Sequence, residues 1–276
     1  MATVEKTLTN EEYHAHRATS HSTLEMFRRS RKLYHAIHVA RTMDRPEPTA
    51  AMQLGTHVHC AVLEPERFEA EYVYAPKCDR RTTAGKAAYA EFCAATAGKT
   101  VIDAEQYDLV RSITRAVMAH RRASFLVEMA EAYEQSIFWT DQPTGIECKS
   151  RRDLVLPEFL GDLKTCRDAS PEGFARAAAS LGYFRQAAFY MDGHKATGGN
   201  DVQFIFIAVC TEPPFELGCY ELDEAALKLG RTQNAADMKT LKQCRESGDW
   251  QDRHERDVVT ISLPKWAQFQ DEYRSE

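Results

Sequence analysis

Apolar residues recur at helical spacing through the first half of the chain and at alternate positions after about residue 130. Over 20–41, "SHSTLEMFRRSRKLYHAIHVAR", apolar side chains at 24, 27, 34, 37 and 39–40 predict a helix capped by Ser20 or Ser22. "RPEPTA" (45–50) ends it, and "AMQLGTHVHCAVLEPERF" predicts a second helix stopping near Pro65. The polar stretch 76–87, with Thr82, Thr83 and Gly85 at its tip, predicts a loop. Two further helices follow near 86–96 and 103–121.

From there "YEQSIFWT" (133–140), "IECKSRRDLVL" (146–156) and "FLGDLKTC" (159–166) predict consecutive strands. "SPEGFARAAASLGYFRQAAFYMDG" predicts one helix, with Ser170 as cap and Pro171 at its first position. "DVQFIFIAVCTE" predicts a buried strand paired with "LGCYELD", then a long helix over 223–246, then a closing strand in "VVTISLPKW". Helices and strands in mixed order predict an α/β or α+β fold. One domain over 1–276 is expected: a mainly helical part (20–125), a core (130–210) and C-terminal strands and helix (211–276).

Composition narrows the class. At 276 residues, 43% hydrophobic and 28% charged, the chain has the make-up of a globular protein. It lacks an apolar run of spanning length, and "MATVEKTLTNEEYHAHRA" lacks the apolar core of a secretory signal, so an intracellular setting is expected. Eight cysteines are widely spaced with no C-x-x-C pair, which argues against a zinc ribbon and for reduced thiols. The net charge of −6 gives no overall attraction to nucleic acid. Two segments are nevertheless basic: 27–41, with Arg28, Arg29, Arg31, Lys32 and Arg41, and 76–86, with Lys77, Arg80, Arg81 and Lys86. Either is a solvated face or a track for a polyanion.

The hairpin "SRRDLVLPEFLGDLKTC" (150–166) carries the candidate chemistry. A turn centred on Glu158-Phe159 would set Asp153 opposite Lys164 and Val155 opposite Asp162. Asp153, Asp162 and Lys164 would then share one face, with Leu163 turned to the core. Two carboxylates and an ammonium so placed are either a surface ion-pair cluster or a site for a hard divalent cation beside a phosphate. A one-residue slip would separate Asp153 from the other two.

The spacing D-x(8)-D-x-K resembles the PD-(D/E)xK nuclease core, with Asp153 as first acid and Asp162-Leu163-Lys164 as second half. "GTHVHCAVLEPERF" (55–68) resembles the G-x-x-x-H helix of exonuclease VIII (RecE) and its phage relatives, with the metal-site histidine at His59. "GIECKSRRDLV" resembles their G-x-x-x-K-x-R-x-D strand. "YFRQAAFYMDG" resembles the Q-x-x-x-Y helix shared with RecB-type nucleases, matching Gln186 and Tyr190. "HSTLEMFRRSRKLY" resembles their opening segment. The chain departs from the pattern at Arg152, where the family has proline, and at Arg31, which follows Ser30 in place of proline.

The resemblance implies a restriction-endonuclease-like fold: a mixed central sheet flanked by helices. It implies a Mg2+-dependent exodeoxyribonuclease, with Mn2+ as substitute, that degrades the 5′-ended strand of double-stranded DNA ends. His59, Asp153, Asp162 and the main-chain carbonyl of Leu163 would hold metal. Lys164 would position the attacking water, and Gln186 and Tyr190 would brace the site. Arg28, Arg29, Lys77, Arg80, Arg81, Lys86, Lys149 and Arg151 would meet DNA phosphates, although salt bridging to Glu147 is an equal alternative for Lys149 and Arg151. Glu147 is also a possible extra carboxylate of the metal site, while His57, on another helix face, is expected to be structural. The implied partners are a RecT-like single-strand annealing protein and further copies in a ring of three or four. The implied setting is the cytoplasm of a bacterial host, encoded by phage or prophage, with no membrane contact. An endonuclease on the same core, or an end-binding scaffold without turnover, are the alternatives.

Overall fold

In the computed structural model, which describes residues 3–5, 8–76, 78–255 and 257–263, helices dominate up to residue 128. A strand β1 (Thr3–Glu5) precedes helices α1 (Asn10–Ala15), α2 (His21–Arg29) and α3 (Arg31–Tyr34), the last running into a π-helical turn, His35–Val39. Next come α4 (Ala50–Leu63), α5 (Pro65–Glu71), β2 (Tyr72–Tyr74), α6 (Thr83–Ala95), β3 (Thr100–Ile102), α7 (Ala104–Ala119) and α8 (Arg121–Glu128). The sheet strands β4 (Ala132–Thr140), β5 (Glu147–Val155) and β6 (Phe159–Cys166) follow. Then come α9 (Pro171–Leu181), α10 (Tyr183–Ala196), β7 (Gln203–Cys210), β8 (Leu217–Glu221) and α11 (Glu224–Ser247).

Six strands form one mixed sheet in the order β1-β4-β5-β6-β7-β8. β6 and β7 run parallel, joined by α9 and α10, and the other neighbours are antiparallel. The helices cover both faces. On one, Val58, Val62, Val110, Ile113 and Leu126 pack on Leu154, Leu163, Ile205 and Ile207. On the other, α10 divides two clusters: Leu24, Phe27, Ile137, Trp139, Phe189 and Leu241 in one, Leu160, Phe174, Ala187, Phe204 and Phe206 in the second. The architecture is the mixed sheet between helices that the resemblance implies.

Local chemistry accounts for the boundaries. Thr49 caps α4 through the Met52 amide; α4 stops at Leu63, just before Pro65 as expected, and Pro65 opens α5 at its first position, where its missing N–H costs nothing. Ser20 and Ser30 cap α2 and α3, so the single helix predicted over 20–41 is broken at Ser30. The helix predicted from Ser170 is likewise two. Gly182 lies in the left-handed region (φ 77°), ends α9 and lets the chain turn into α10. The short strands β1, β2 and β3 and the helix α8 are not in the predicted pattern. Residues 258–263 of the expected closing strand form none, and 264–266 lie outside the described residues.

The hairpin register differs from the expected one by two residues. Leu154 pairs with Gly161 and Val155 with Leu160, which carries Asp153 toward Asp162 in place of Lys164. A two-residue shift preserves the faces, so the convergence survives. Gly161 explains the register. A Cβ there would fall 2.8 Å from Leu154 Cδ1 and 3.0 Å from its Cβ, so only glycine sits comfortably opposite that leucine.

Candidate active site

The site lies where β5 and β6 part. Beyond the Leu154–Gly161 pair, the Asp153 carboxylate fills the gap and accepts a hydrogen bond from the Leu163 amide at 2.9 Å. The sheet is irregular here. Gln135 and Arg152 point toward α10, where Arg152 meets His194, whereas Tyr133 and Leu154 point the other way, Tyr133 donating to the Val127 carbonyl. Strict alternation would keep 133 with 135 and 152 with 154. The switch falls at Glu134 and Asp153, which lie between these two pairs. Glu134 achieves it with a left-handed backbone (φ 45°), a costly conformation for a residue with a Cβ.

His59 arrives from α4, with Gly55 one turn earlier against Thr165 of β6. Its Nε2 is 2.6 Å from the Leu163 carbonyl. Its Nδ1 is 3.4 Å from Asp153 Oδ2 and 3.7 Å from Glu134 Oε1. On the other side, α10 supplies Gln186, whose Nε2 donates to Asp162 Oδ1 at 2.6 Å. Lys164 Nζ is 2.5 Å from Asp162 Oδ2 and lies over the Tyr183 ring, 5.0 Å from its centroid. Tyr190 lines the same hollow as His59, Glu134, Asp153 and Gln186. A cleft of about 650 Å³ opens over His59, Glu134, Leu163, Lys164 and Tyr183.

Burial sets the electrostatics. It pushes Asp162 up to about 6, against Lys164, with Asp153 adding to the rise. Burial raises Asp153 too, against His59. Burial alone would lower His59, but Asp153 and Glu134 outweigh it and carry the imidazole to about 9. Lys164 likewise stays above its ordinary value because Asp162 and Asp153 outweigh burial. Two carboxylates, Asp153 and Glu134, held against one imidazole suit a divalent cation, with the buried Asp162 outside that group. His59, Glu134 and Asp153 present ligand atoms within 4.8 Å of one another, so the residues present fit such an ion.

The residues expected to meet DNA are dispersed. Lys149 is only 2% exposed and donates to the carbonyls of Tyr13 and His16. Arg151 binds Ser136 Oγ, Asn10 Oδ1 and the carbonyls of Leu8 and Thr9. The N-terminal segment thus covers both, and neither faces solvent. Arg28 pairs with Asp237 of α11, while Arg29 is exposed. Arg80 stacks on Tyr89, Arg81 is 3.4 Å from Asp79, and Lys86 is exposed. Lys77 lies outside the described residues. Glu147 lines a different hollow with Lys242 and Arg245, and His57 packs edge-on to Tyr72. None of the eight cysteines is bridged.

The sequence pattern alone does not mark Glu134, His21 or the α1 residues Asn10, Tyr13 and His14, all of which line the site. Glu134 reads as an ordinary polar position in a strand. Its aim depends on a backbone twist that glutamate does not announce.

Two buried acids and a lysine on adjoining strands, braced by a histidine and a glutamine from flanking helices, define a core of the PD-(D/E)xK nuclease superfamily. The chain belongs to the family described as a PDDEXK-like domain of unknown function, whose model matches residues 20–257. The fold is also that of a crystal structure from Eubacterium rectale, named for a presumed exonuclease activity. The TM-score is 0.65 at 14% identity, covering 96% of this chain and 99% of that one. No curated protein matches significantly. Among the described residues no helix is long and apolar enough to cross a membrane. Together the family and the site support a nuclease.

Proposed function

We propose that the protein is a Mg2+-dependent exodeoxyribonuclease that degrades double-stranded DNA from its ends, in the 5′-to-3′ direction, exposing single strands for annealing-type recombination. The observation that carries the reading is the convergence of Asp153, Asp162, Lys164 and Gln186 around His59, with His59 and Lys164 lining an open cleft, Asp153 and Gln186 the adjoining hollow, and Asp162 buried between its partners Gln186 and Lys164. Asp153, Asp162 and the Leu163 carbonyl, with His59, would hold one or two metal ions. Bound there, metal would neutralise the charge that develops on the scissile phosphate and its leaving oxygen.

The chain's own groups do the rest. Gln186 fixes the rotamer of Asp162, and Asp162 fixes the Lys164 ammonium. Lys164 keeps its proton and directs N–H donors into the cleft, where they orient the attacking water and a phosphate oxygen. Tyr183 supports the lysine from beneath. Exposed Arg29, Arg81 and Lys86 remain candidates for phosphate contacts. The same reading places the enzyme in a bacterial cytoplasm, in a ring of three or four copies, working with a RecT-like annealing protein.

The test is digestion of 5′-phosphorylated linear duplex with Mg2+ by the parent, Asp162→Ala and Lys164→Ala, with closed circular DNA alongside. Loss of linear duplex with the parent alone supports the reading. Equal activity in all three proteins removes the site assignment, and cutting of closed circles converts the enzyme to an endonuclease. End binding without digestion by folded parent makes it a scaffold.

A further inference from the structure

His59 has two ring nitrogens, and the structure gives them different work. Nε2 is committed to the Leu163 carbonyl at 2.6 Å. A metal-binding imidazole typically donates its other N–H to a carbonyl or carboxylate, which fixes the tautomer and aims the ligating nitrogen. By that logic Nδ1 is the ligating atom, and Nδ1 faces Glu134 and Asp153, not Asp162. Asp162 is engaged elsewhere, one oxygen by Gln186 and the other by Lys164. Glu134 comes from β4, outside the acid–acid–lysine hairpin, and its left-handed backbone turns its carboxylate to the histidine.

We propose that His59 Nδ1, Glu134 and Asp153 form a cation position of their own beside Asp162, with Glu134 as a metal ligand and Asp153 shared between the two halves of the site. The use of this ion in catalysis rests on the nuclease reading; its binding does not. One imidazole with two carboxylates favours Mn2+ over Mg2+, because Mg2+ prefers an all-oxygen shell that retains much of its water.

Mn2+ binding to metal-stripped protein without DNA, counted by titration calorimetry and by electron paramagnetic resonance of free Mn2+, tests this. Glu134→Gln is expected to lose one equivalent or to bind at least about tenfold more weakly. Glu134→Asp should recover part of the loss, and Asp162→Asn should keep this position. Parent stoichiometry and affinity in Glu134→Gln overturn the proposal. Should Glu134→Gln fail to fold, parent crystals soaked in Mn2+ decide. Anomalous density between His59 Nδ1 and Glu134 upholds the position, and density beside Asp162 alone overturns it. Parent protein that binds Mn2+ here but digests no DNA leaves this inference standing while removing the nuclease reading.

Discussion

Gln186 donates from α10 to Asp162 Oδ1 at 2.6 Å, and both side chains are buried. A helix on one face of the sheet therefore sets the rotamer of an acid on a strand. Gln186→Leu removes the donor and leaves a buried oxygen short of a partner, which costs about 1–3 kcal/mol. Digestion should slow about 10- to 100-fold, the usual range for a lost outer partner of a metal ligand. Single-turnover rates on end-labelled duplex and urea melts separate the two effects.

Lys164 and Asp162 form a buried ion pair, the carboxylate side chain 2% exposed. Lys164→Met strips Asp162 of its cation, and breaking such a pair costs about 3–5 kcal/mol. Adding Asp162→Asn to Lys164→Met should return much of that stability at pH 8, while neither protein digests DNA. Urea unfolding of the parent, both single variants and the double variant measures the coupling.

Glu25 of α2 holds Arg185 of α10 through two contacts, one of them Nη2 to Oε2 at 2.7 Å. Burial would raise Glu25, but His21 and Arg185 outweigh it and lower it from 4.5 to about 2. Its folded value lies below its unfolded one, so the stabilisation is present above pH 4.5 and lost as pH falls toward 2. The gap is worth on the order of 3 kcal/mol. Glu25→Gln should flatten stability against pH over that window in acid titrations followed by circular dichroism.

Gly161→Ala pushes a methyl group into Leu154. Overpacking of this kind costs about 1–3 kcal/mol. Because Leu154 and Gly161 fix the register beside Asp153, activity should fall as well. Gly161→Ala combined with Leu154→Ala should recover register-dependent activity better than stability, as read from Mg2+-supported digestion and thermal melts.

Metal should raise the melting temperature of the DNA-free protein. An ion at a hundredfold over its Kd adds about 2.7 kcal/mol to the folded state. Differential scanning fluorimetry with Mn2+, then with EDTA, should show the rise and its reversal. Asp153→Asn should abolish it.

Much of the site was written in the residues themselves. The pattern Gly161-Asp162-Leu163-Lys164 carries its own packing logic, since Leu163 must be buried for its neighbours to face outward. Gln186 and Tyr190, one helical turn apart, could be seen to share a face with no knowledge of the sheet. The rest depended on tertiary context. The hairpin register needed the clash between Leu154 and any side chain at 161. Glu134 needed a left-handed backbone that no local motif encodes. Lys149 and Arg151 alternate correctly with Asp153, yet a distant helix claims them, which strand periodicity cannot reveal.

That claim on Lys149 and Arg151 also bears on where the working unit begins. The family match starts at residue 20, but Tyr13 and His16 carbonyls hold one buried cation and Leu8, Thr9 and Asn10 hold the other. A version trimmed to the matched segment would keep every candidate ligand of the metal. It would nonetheless strand two positive charges in the sheet beside Asp153, so the first helix is part of the wall of the candidate site.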